Sequence, residues 1–395
     1  MKKVVLAYSG GLDTSYCATY LSTEKQLEVH AVTVNTGGFS PDEIKDIKSK
    51  ALAMGVTSYS CINAVQSFYQ KVVKYLIFGN VLKNNTYPLS VSAERIVQAL
   101  EIVQYAQKIG ADYIAHGSTG AGNDQVRFDM IFQTLAPGIE ILTPIRDQHL
   151  SRQEEIQYLQ QHGVDMNWEK SKYSINKGLW GTSVGGAETL GSSQPLPEDA
   201  YPSALKKTES QKVVLGFKEG ALTTINGEEN TPEENIRILN DLASQFAIGR
   251  DIHVGDTIIG IKGRVGFEAA APLLIIKAHH LLEKHCLSKS QLLHKDYIAN
   301  WYGHMLHEGQ YLDPVMRDFE AFLESSQVKV TGEVFAELHP YRFTLHGISS
   351  DYDLMASDFG KYGEENTAWS AEEAKGFIKI TSNSGKIIHH LNNQL

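Results

Sequence analysis

Two glycine-rich segments contain the residue types best suited to binding a small anionic ligand. The first is the heptapeptide SGGLDTS at residues 9–15, which directly follows the apolar run at residues 4–8 and precedes a helical pattern. Glycine admits a positive φ and close backbone approach, and the unpaired N–H groups at a helix N-terminus favour an anion. Ser9, Thr14 and Ser15 add hydroxyl donors at the same point. The segment therefore predicts a phosphate-binding turn.

This first turn lacks the features of the two commonest nucleotide-binding motifs. It is not a GxGxxG turn, and the P-loop pattern GxxxxGK[ST] occurs nowhere in the chain. Because the P-loop lysine is missing, the turn favours handling of the pyrophosphate at the α–β bond of a nucleotide over γ-phosphoryl transfer. An ordinary glycine-containing strand–helix turn is the alternative interpretation.

The second segment, HGSTGAGNDQVRF at residues 116–128, follows another predicted strand. Its loop glycines, whose backbone amides can face a ligand, are Gly117, Gly120 and Gly122. Asn123, Asp124 and Arg127 then bring an amide, a carboxylate and a guanidinium close together. A carboxylate suits the ammonium of an amino acid, and a guanidinium can bind its carboxylate in bidentate fashion. The segment predicts an amino-acid site; a polar turn with a solvated Asp124–Arg127 pair is the alternative.

The elements that must position these segments follow from the hydrophobic pattern. Short apolar runs predict strands at residues 4–8, 29–34, 58–62, 113–115 and 139–142. Helical spacing predicts helices at 12–21, 44–52, 65–78 and 93–109, the last with Ser92 as N-cap, and a capping box at Ser151 begins another. Such alternation predicts a doubly wound, mostly parallel α/β sheet. Because ligands bind beyond the carboxyl ends of such strands, we expect both glycine-rich segments at one site.

The second half of the chain differs from the first in its composition and in its hydrophobic pattern. Residues 170–203 are rich in Gly, Ser and Pro, which indicates a boundary or a long functional loop. Beyond them, strand patterns at 213–217, 222–225, 257–261, 328–335 and 341–345 are mixed with helical patterns that start near residues 231, 269 and 291. We therefore predict a nucleotide-binding domain at 1–165, an α+β substrate domain at 170–365, and a polar C-terminal tail at 366–395 with a helical stretch at 371–378.

Composition restricts the function classes that the chain can serve. The 395 residues include 36 Lys and Arg against 46 Asp and Glu, a net charge of −10, with 42% apolar and 21% charged residues. These proportions are typical of a soluble globular protein, and no apolar run approaches the ~20 residues that span a bilayer. Because phosphate neutralisation needs clustered Lys and Arg, the acidic balance argues against a broad nucleic-acid-binding face. We predict neither a nucleic-acid nor a membrane partner.

The cysteines and histidines do not form a recognisable metal motif. Three cysteines are too few and too scattered for a disulfide framework, which favours a reducing cytoplasm: Cys17, Cys61 and Cys286. Of the 15 histidines, several fall on two neighbouring predicted helices: His279, His280, His285, His304 and His307. Because no HExxH or closed Cys–His set accompanies them, we interpret them as polar helix faces rather than a zinc site.

Both glycine-rich segments resemble the signatures of one known family. Residues 7–15, AYSGGLDTS, are similar to the motif of the N-type ATP pyrophosphatases and specifically of the argininosuccinate synthase family, and residues 116–128 resemble that family's second signature. The resemblance implies an AMP-forming ligase that condenses L-citrulline and L-aspartate to argininosuccinate in arginine biosynthesis. ATP would react, with Mg²⁺, through a citrullyl-AMP intermediate and release pyrophosphate. It also implies a cytoplasmic homotetramer with the tail between subunits.

The resemblance further implies the site residues. ATP contacts are expected at Ala7, Tyr8, Ser9, Gly10, Gly11, Leu12, Asp13, Thr14, Ser15, Val34 and Gly117. Aspartate contacts are expected at Thr119, Asn123 and Asp124, and citrulline contacts at Tyr87, Ser92, Asn123, Arg127, Ser174 and Ser183. Electrostatic and positioning roles in catalysis fall to Asp13, Asp124 and Arg127; for Asp124 we expect that it holds the aspartate ammonium. The Mg²⁺ ligands are not implied.

Three positions depart from the family's pattern. Ala121 stands where the family usually has Lys or Met, and Gly255 and Phe267 stand where it commonly offers a Glu and a Tyr to citrulline. Either neighbours such as Asp256 and Glu268 compensate, or the amino-acid pocket differs.

Two other functions remain open. A related ATP pyrophosphatase that thiolates tRNA would share the first motif, but it would need reactive cysteines in the site and a basic face. A non-catalytic adenine-nucleotide-binding protein would need only the first domain.

Overall fold

The first part of the chain forms a parallel sheet of five strands in the order β3-β2-β1-β4-β5. In chain order the strands are β1 Lys3–Ala7, β2 Glu28–Asn35, β3 Ser58–Asn63, β4 Tyr113–Ala115 and β5 Glu140–Leu142. The computed structural model describes residues 1–120, 122–164, 173–359, 363 and 368–393, so Ala121 and the predicted boundary at 165–170 lie outside the described residues. The strand order reverses between β1 and β4, and a crevice is expected at the carboxyl ends of these two strands.

Helices cover both faces of this sheet. They are α1 Leu12–Thr23, α2 Pro41–Ala53, α3 Val65–Phe68, α4 Lys74–Phe78, α5 Ser90–Ile109, α6 Asp124–Leu135, α7 Pro144–Gln148 and α8 Arg152–Gln161. Alternate residues of β1 face opposite cores: Val4 and Leu6 pack in the core that contains α1, whereas Val5 packs in the core that contains α5. This coverage confirms the predicted doubly wound α/β architecture. A π-helical turn, Tyr69–Val73, joins α3 to α4.

The strands beyond residue 173 form two antiparallel sheets. In chain order they are β6 Ser174–Gly178, β7 Gly181–Gly185, β8 Gln211–Lys218, β9 Ala221–Ile225, β10 Glu228–Glu229, β11 Arg250–Asp256, β12 Lys262–Glu268, β13 Gly332–His339 and β14 Arg342–Ser349. One sheet has the order β10-β9-β8-β13-β14 and the other β11-β12-β7-β6. The accompanying helices are α9 Pro232–Ser244, α10 Ala270–Cys286, α11 Lys289–His307 and α12 Val315–Gln327. The largest apolar core contains residues of both α5 and α10, so it extends through both parts of the chain.

Two local predictions, the N-cap at Ser92 and the strand at 257–261, are wrong. Ser92 is not the N-cap of α5: Leu89, with φ +61°, holds that position, and the Ser92 hydroxyl donates to the Leu89 carbonyl inside the first turn. The apolar residues 257–261 are not a strand but the turn between β11 and β12, closed by a hydrogen bond of 2.8 Å from Thr257 N to Ile261 O. Ile259 and Ile261 are exposed there. Residues with the composition of a strand therefore form the tip of a loop.

Other parts of the pattern were missed. The Gly-, Ser- and Pro-rich stretch is not only a loop, because it contains the hairpin of β6 and β7. Helices α6 and α12 were not predicted. The tail forms two helices rather than one, α13 Ala371–Thr381 and α14 Asn383–Asn392, and neither has a buried residue. Among the described residues, none of the helices combines the length and the apolar character that crossing a membrane requires.

Candidate functional site

A single cavity of about 1080 Å³ lies at the carboxyl ends of β1, β2 and β4 and reaches the sheet formed by β6, β7, β11 and β12. Both glycine-rich segments line it. The cavity is therefore bounded by the parallel sheet on one side and by strands of an antiparallel sheet on the other. We call the part at the first turn the nucleotide end, and the part bounded by Tyr87, Arg127 and His253 the amino-acid end.

The turn after β1 holds its conformation through its own groups. Gly10 has φ +77°, a left-handed conformation that glycine adopts without strain. Gly11 is the N-cap of α1 and offers no side chain to the helix, so the first amides of α1 have no side-chain cap. The Ser9 and Thr14 hydroxyls bond each other at 3.3 Å. The turn thus presents uncapped backbone donors at the positive end of a helix, which suits a phosphate.

The second loop packs directly against this turn. A Cβ on Gly117 would lie 3.2 Å from the carbonyl carbon of Asp13, so glycine allows the two backbones to touch. The loop is braced from behind: His116 Nε2 bonds Asp129 at 2.8 Å, and its Nδ1 accepts from the Ser118 amide. Because Nδ1 accepts, Nε2 is the nitrogen that donates to Asp129. The packing of the second loop on the turn brings the two glycine-rich segments into one site, as the sequence predicted.

Asp13 and Glu155 form an acidic pair behind the first turn. Burial raises the pKa of Asp13, and a hydrogen bond from Glu155 opposes that rise. Burial and the neighbouring Asp13 charge raise the pKa of Glu155 to about 8. The two carboxyls therefore share one proton near neutral pH, with Glu155 as the donor. Arg152, which lines the cavity, lies close enough to favour the charged forms.

A second charged group, Arg95–Asp124–Arg127, connects α5 with α6. Arg95 Nε bonds one oxygen of Asp124 at 2.8 Å, and Arg127 Nη1 bonds the other at 2.9 Å. Burial opposes ionisation of Asp124, but the two guanidiniums outweigh it and lower its pKa to about 2. Both carboxylate oxygens are thus engaged before any substrate binds. The main contacts of Asp124 are therefore with the two guanidiniums, and contact with a substrate ammonium would be an additional one.

Two histidines that sequence reasoning did not assign to the site also line the cavity. His307 accepts at Nδ1 from Arg127 Nη2 at 3.3 Å, and its carbonyl accepts from Arg127 Nε at 3.0 Å. Burial and the Arg127 charge lower the pKa of His307 to about 2, so the ring is neutral. His253 stacks on Tyr87 with ring centroids 5.2 Å apart. His307 and His279, which we interpreted as parts of polar helix faces, are both buried.

The hairpin of β6 and β7 supplies Ser174 and Ser183 to the cavity wall. It lies directly against α5, with a close contact at Gly178. A Cβ there would overlap the Glu94 carboxyl, whose other oxygen accepts from Thr36 at 2.9 Å. Burial raises the pKa of Glu94 to about 8, so this carboxyl is neutral at pH 7.

Most of the predicted site residues surround this one cavity. Those that line it are Ala7, Tyr8, Ser9, Gly11, Leu12, Asp13, Thr14, Val34, Tyr87, Ser92, Gly117, Thr119, Asn123, Asp124, Arg127, Ser174 and Ser183. Two lie behind the wall: Gly10 faces Ile47, and the Ser15 hydroxyl shares a hydrogen bond of 3.2 Å with the Tyr8 hydroxyl. Within the part of the chain that the structure describes, no three His, Cys, Asp or Glu side chains form a metal-binding group.

Comparison with known proteins agrees with this geometry. One family model, the arginosuccinate synthase N-terminal HUP domain, matches residues 3–165, and a second, the arginosuccinate synthase C-terminal domain, matches residues 173–388. The argininosuccinate synthase of Methanocaldococcus jannaschii is 35% identical over 378 residues, or 95% of each chain. That of Xanthomonas campestris is 35% identical over 403 residues, or 99% of each chain. The chain belongs to the argininosuccinate synthase family.

Membership in the argininosuccinate synthase family confirms the predicted family. The structure also shows the surroundings of residues 255 and 267, where we expected a departure from the family's pattern. Phe267 is fully buried and packs on Tyr87, with ring centroids 5.4 Å apart. The two neighbours expected to compensate are engaged elsewhere: Asp256 pairs with Lys262 at 2.7 Å, and Glu268 pairs with Arg250 at 3.0 Å. His253 instead fills the space beside Gly255.

Proposed function

We propose that the chain is an AMP-forming ligase that joins L-citrulline to L-aspartate with ATP and releases pyrophosphate, as the names and family of its relatives indicate. The observation that carries the proposal is the single cavity lined by both glycine-rich segments and by the Arg95–Asp124–Arg127 group. In this reaction the ureido oxygen of citrulline attacks the α-phosphorus, pyrophosphate leaves, and the aspartate amine then displaces AMP.

At the nucleotide end, the chain's contribution is to receive negative charge. The uncapped amides of α1 would face the phosphates, and the Gly117 amide would approach from the second loop. Charge that develops on the leaving pyrophosphate is stabilised best by donors that are already in place. This reaction needs no nucleophile from the chain, because the substrates themselves supply all the reacting atoms.

At the amino-acid end, the chain's contribution is to hold two substrates in reach of each other. Alignment of bound reactants can lower a barrier by up to about 7–11 kcal/mol in favourable cases. Thr119, Asn123 and Asp124 would contact aspartate. The remaining citrulline ligands would be Tyr87, Ser92, Arg127, Ser174 and Ser183, with Asn123 shared between the two substrates.

The residues at the first turn also fit Mg²⁺. This ion prefers oxygen ligands and is commonly held by one or two carboxylates together with substrate phosphates. Asp13 lines the cavity at this turn and offers carboxylate oxygens there, and burial raises the pKa of its carboxyl. Asp13 would hold the ion, with Glu155 behind it. Bound Mg²⁺ would neutralise part of the phosphate charge.

The test is pyrophosphate release from Mg-ATP under multiple turnover. Sustained release should require citrulline and aspartate together, with argininosuccinate and AMP formed in equal amounts by mass spectrometry. Sustained release with neither amino acid, or only with tRNA, would contradict the proposal. The tRNA-thiolase alternative is weakened by the cysteines, since Cys17 and Cys286 are buried and none of the three lines the cavity.

We further propose a cytoplasmic homotetramer in which the tail at 366–395 packs between subunits, and a division into domains at 1–165 and 170–365. Apolar side chains of α13 and α14 support the tail's role, because Phe377, Ile380 and Ile387 are at least 60% exposed. Light scattering should give four times the chain mass of 43.8 kDa. Ile380→Glu with Ile387→Glu should lower that mass; an unchanged tetramer would contradict the tail's role.

A further inference from the structure

His253 and the space beside Gly255 on β11 depend on each other. The two residues are two positions apart, so their side chains belong to the same face of the strand. A Cβ built on Gly255 would lie 2.6 Å from His253 Nε2 and 3.3 Å from Asn84 Nδ2. No side chain can therefore occupy position 255 while the His253 ring stays where it is. The imidazole takes the space that a larger residue at 255 would use.

The His253 ring is tightly packed but makes no hydrogen bond with the described residues. It is 5% exposed and lies at 25° to the Tyr87 ring on which it stacks. Its Nδ1 is buried without a partner, and its Nε2 lies beside Gly255 in the cavity wall without a hydrogen bond to any described residue. Buried polar groups are normally hydrogen-bonded. A ring fixed by stacking and aimed into a cavity is suited to a ligand.

The charges at this end of the cavity favour an anion as that ligand. Arg127 lines it, and the positive charge of Lys83 is near enough to add to the burial that lowers the pKa of His253. The carboxylates in this region are already paired, Asp256 with Lys262 and Asp124 with Arg95 and Arg127. Glu268 pairs with Arg250. Each of these described carboxylates is therefore already paired with a cationic side chain, so none of them offers an unpaired negative charge to a substrate ammonium.

We propose that His253 binds the carboxylate of the ureido substrate through Nε2 and that the substrate's α-ammonium has no acidic partner. This inference rests on the proposed function, because it assumes that a ureido carboxylic acid is the acceptor. The substrate class is then wider than citrulline: ω-ureido carboxylic acids should be accepted whether their α-amine is free, acylated or absent. The pocket recognises the carboxylate and not the amine.

A substrate panel on the wild-type protein tests this directly. Pyrophosphate release would be measured at saturating Mg-ATP and aspartate with L-citrulline, N-acetyl-L-citrulline, 5-ureidopentanoate and L-citrulline amide. The first three should have kcat/KM values within about tenfold of each other, and the amide should be lower by about 10–100-fold, the value of a charged hydrogen bond. N-acetyl-L-citrulline tests whether the pocket accepts a bulkier group on the α-nitrogen. 5-Ureidopentanoate, which has no α-amine, tests whether the amine contributes to binding at all.

The outcomes are distinguishable. A preference of about 100-fold or more for L-citrulline over 5-ureidopentanoate would overturn the inference and leave the ligase activity intact, because a partnered ammonium contributes that much. No release with any of the four compounds would contradict the proposed function itself.

Substitutions at the two positions give a second test. His253→Val should raise KM for the three carboxylates about tenfold with a much smaller change in kcat, and His253→Gln, which keeps a donor, should recover part of the loss. The double variant His253→Val/Gly255→Glu removes the obstructing ring and adds a carboxylate, so it should favour L-citrulline over 5-ureidopentanoate. ATP binding by calorimetry controls for the fold. An unchanged KM in His253→Val, or an unchanged preference in the double variant, would overturn the assignment.

Discussion

At the nucleotide end of the cavity the groups that face the ligand are mainly backbone amides, and at the amino-acid end they are side chains. The amides belong to two short loops whose glycines allow them to touch at Gly117 and Asp13. The side chains come from elements that are distant in sequence, such as Arg127 and His307, which are 180 residues apart. The nucleotide end thus depends on local backbone conformation, whereas the amino-acid end depends on tertiary packing. Substitutions at the two ends should therefore affect the binding of different substrates.

The largest effect is expected at Asp124. Asp124→Asn leaves the Arg95 and Arg127 guanidiniums without their shared carboxylate, and kcat/KM for citrulline and aspartate should fall by about 100-fold or more. The KM for ATP should change by less than about threefold, because the nucleotide end is untouched. Steady-state kinetics for each substrate would check this, with exposed Asp46→Asn as the control. An equal loss for ATP would remove the distinction between the two ends.

The next effect is expected where the loops touch. Gly117→Val places atoms within the 3.2 Å that separates a Cβ at 117 from the Asp13 carbonyl carbon. Misplacing the first turn by even a fraction of an ångström should reduce kcat/KM for ATP by about 10–100-fold. Gly138→Val is the matched control, since nothing lies within 4 Å of a Cβ at that position. Wild-type ATP kinetics in Gly117→Val would show that the two backbones need not touch.

A smaller effect, on stability, is expected at Gly10. Gly10→Ala forces a side chain into φ +77° and brings its Cβ to 3.0 Å from Ile47 Cγ1. The free energy of unfolding should fall by about 1–2 kcal/mol, the cost of a left-handed non-glycine residue. Chemical denaturation would measure it, and Gly138→Ala should stay within about 0.5 kcal/mol of wild type. An unchanged midpoint for Gly10→Ala would mean that the turn can relax.

A further effect depends on pH and concerns the contact between the β6–β7 hairpin and Glu94 of α5. Glu94 has a folded-state pKa raised from 4.5 to about 8, so its contribution to stability is full below pH 4.5 and is lost as pH rises through 8. Glu94→Gln, which cannot ionise, should lose less stability than wild type between pH 6 and 9, with each kcal/mol equal to about 2–4 °C in Tm. Exposed Glu209→Gln should keep the wild-type slope. Parallel slopes for Glu94→Gln and wild type would contradict a neutral Glu94.

The same contrast explains what the sequence could predict. The strands β1, β2 and β4 and the meeting of the two glycine-rich segments at one cavity follow from patterns a few residues long, and those predictions are confirmed. The role of His253 depends on a neighbour two residues along a strand and on stacking with Tyr87, and no local pattern encodes that stack. The turn at 257–261 was misread because its isoleucines have the composition of a strand. Its position is fixed by a distant partner, through a hydrogen bond of 2.9 Å from Ile258 N to Asn123 Oδ1.

That bond from the β11–β12 turn to Asn123 has a consequence for biosynthesis of the chain. Domains generally fold in order as the chain is made, and the N-terminal part folds first. The groups around the nucleotide end extend along the chain as far as Arg152 and Glu155, whereas the hydrogen bond from Ile258 and the His307 support of Arg127 come from residues that are made much later. A nascent chain could thus hold ATP before it could hold an acceptor in place. The amino-acid end would then be complete only after the residues as far as His307 had been made.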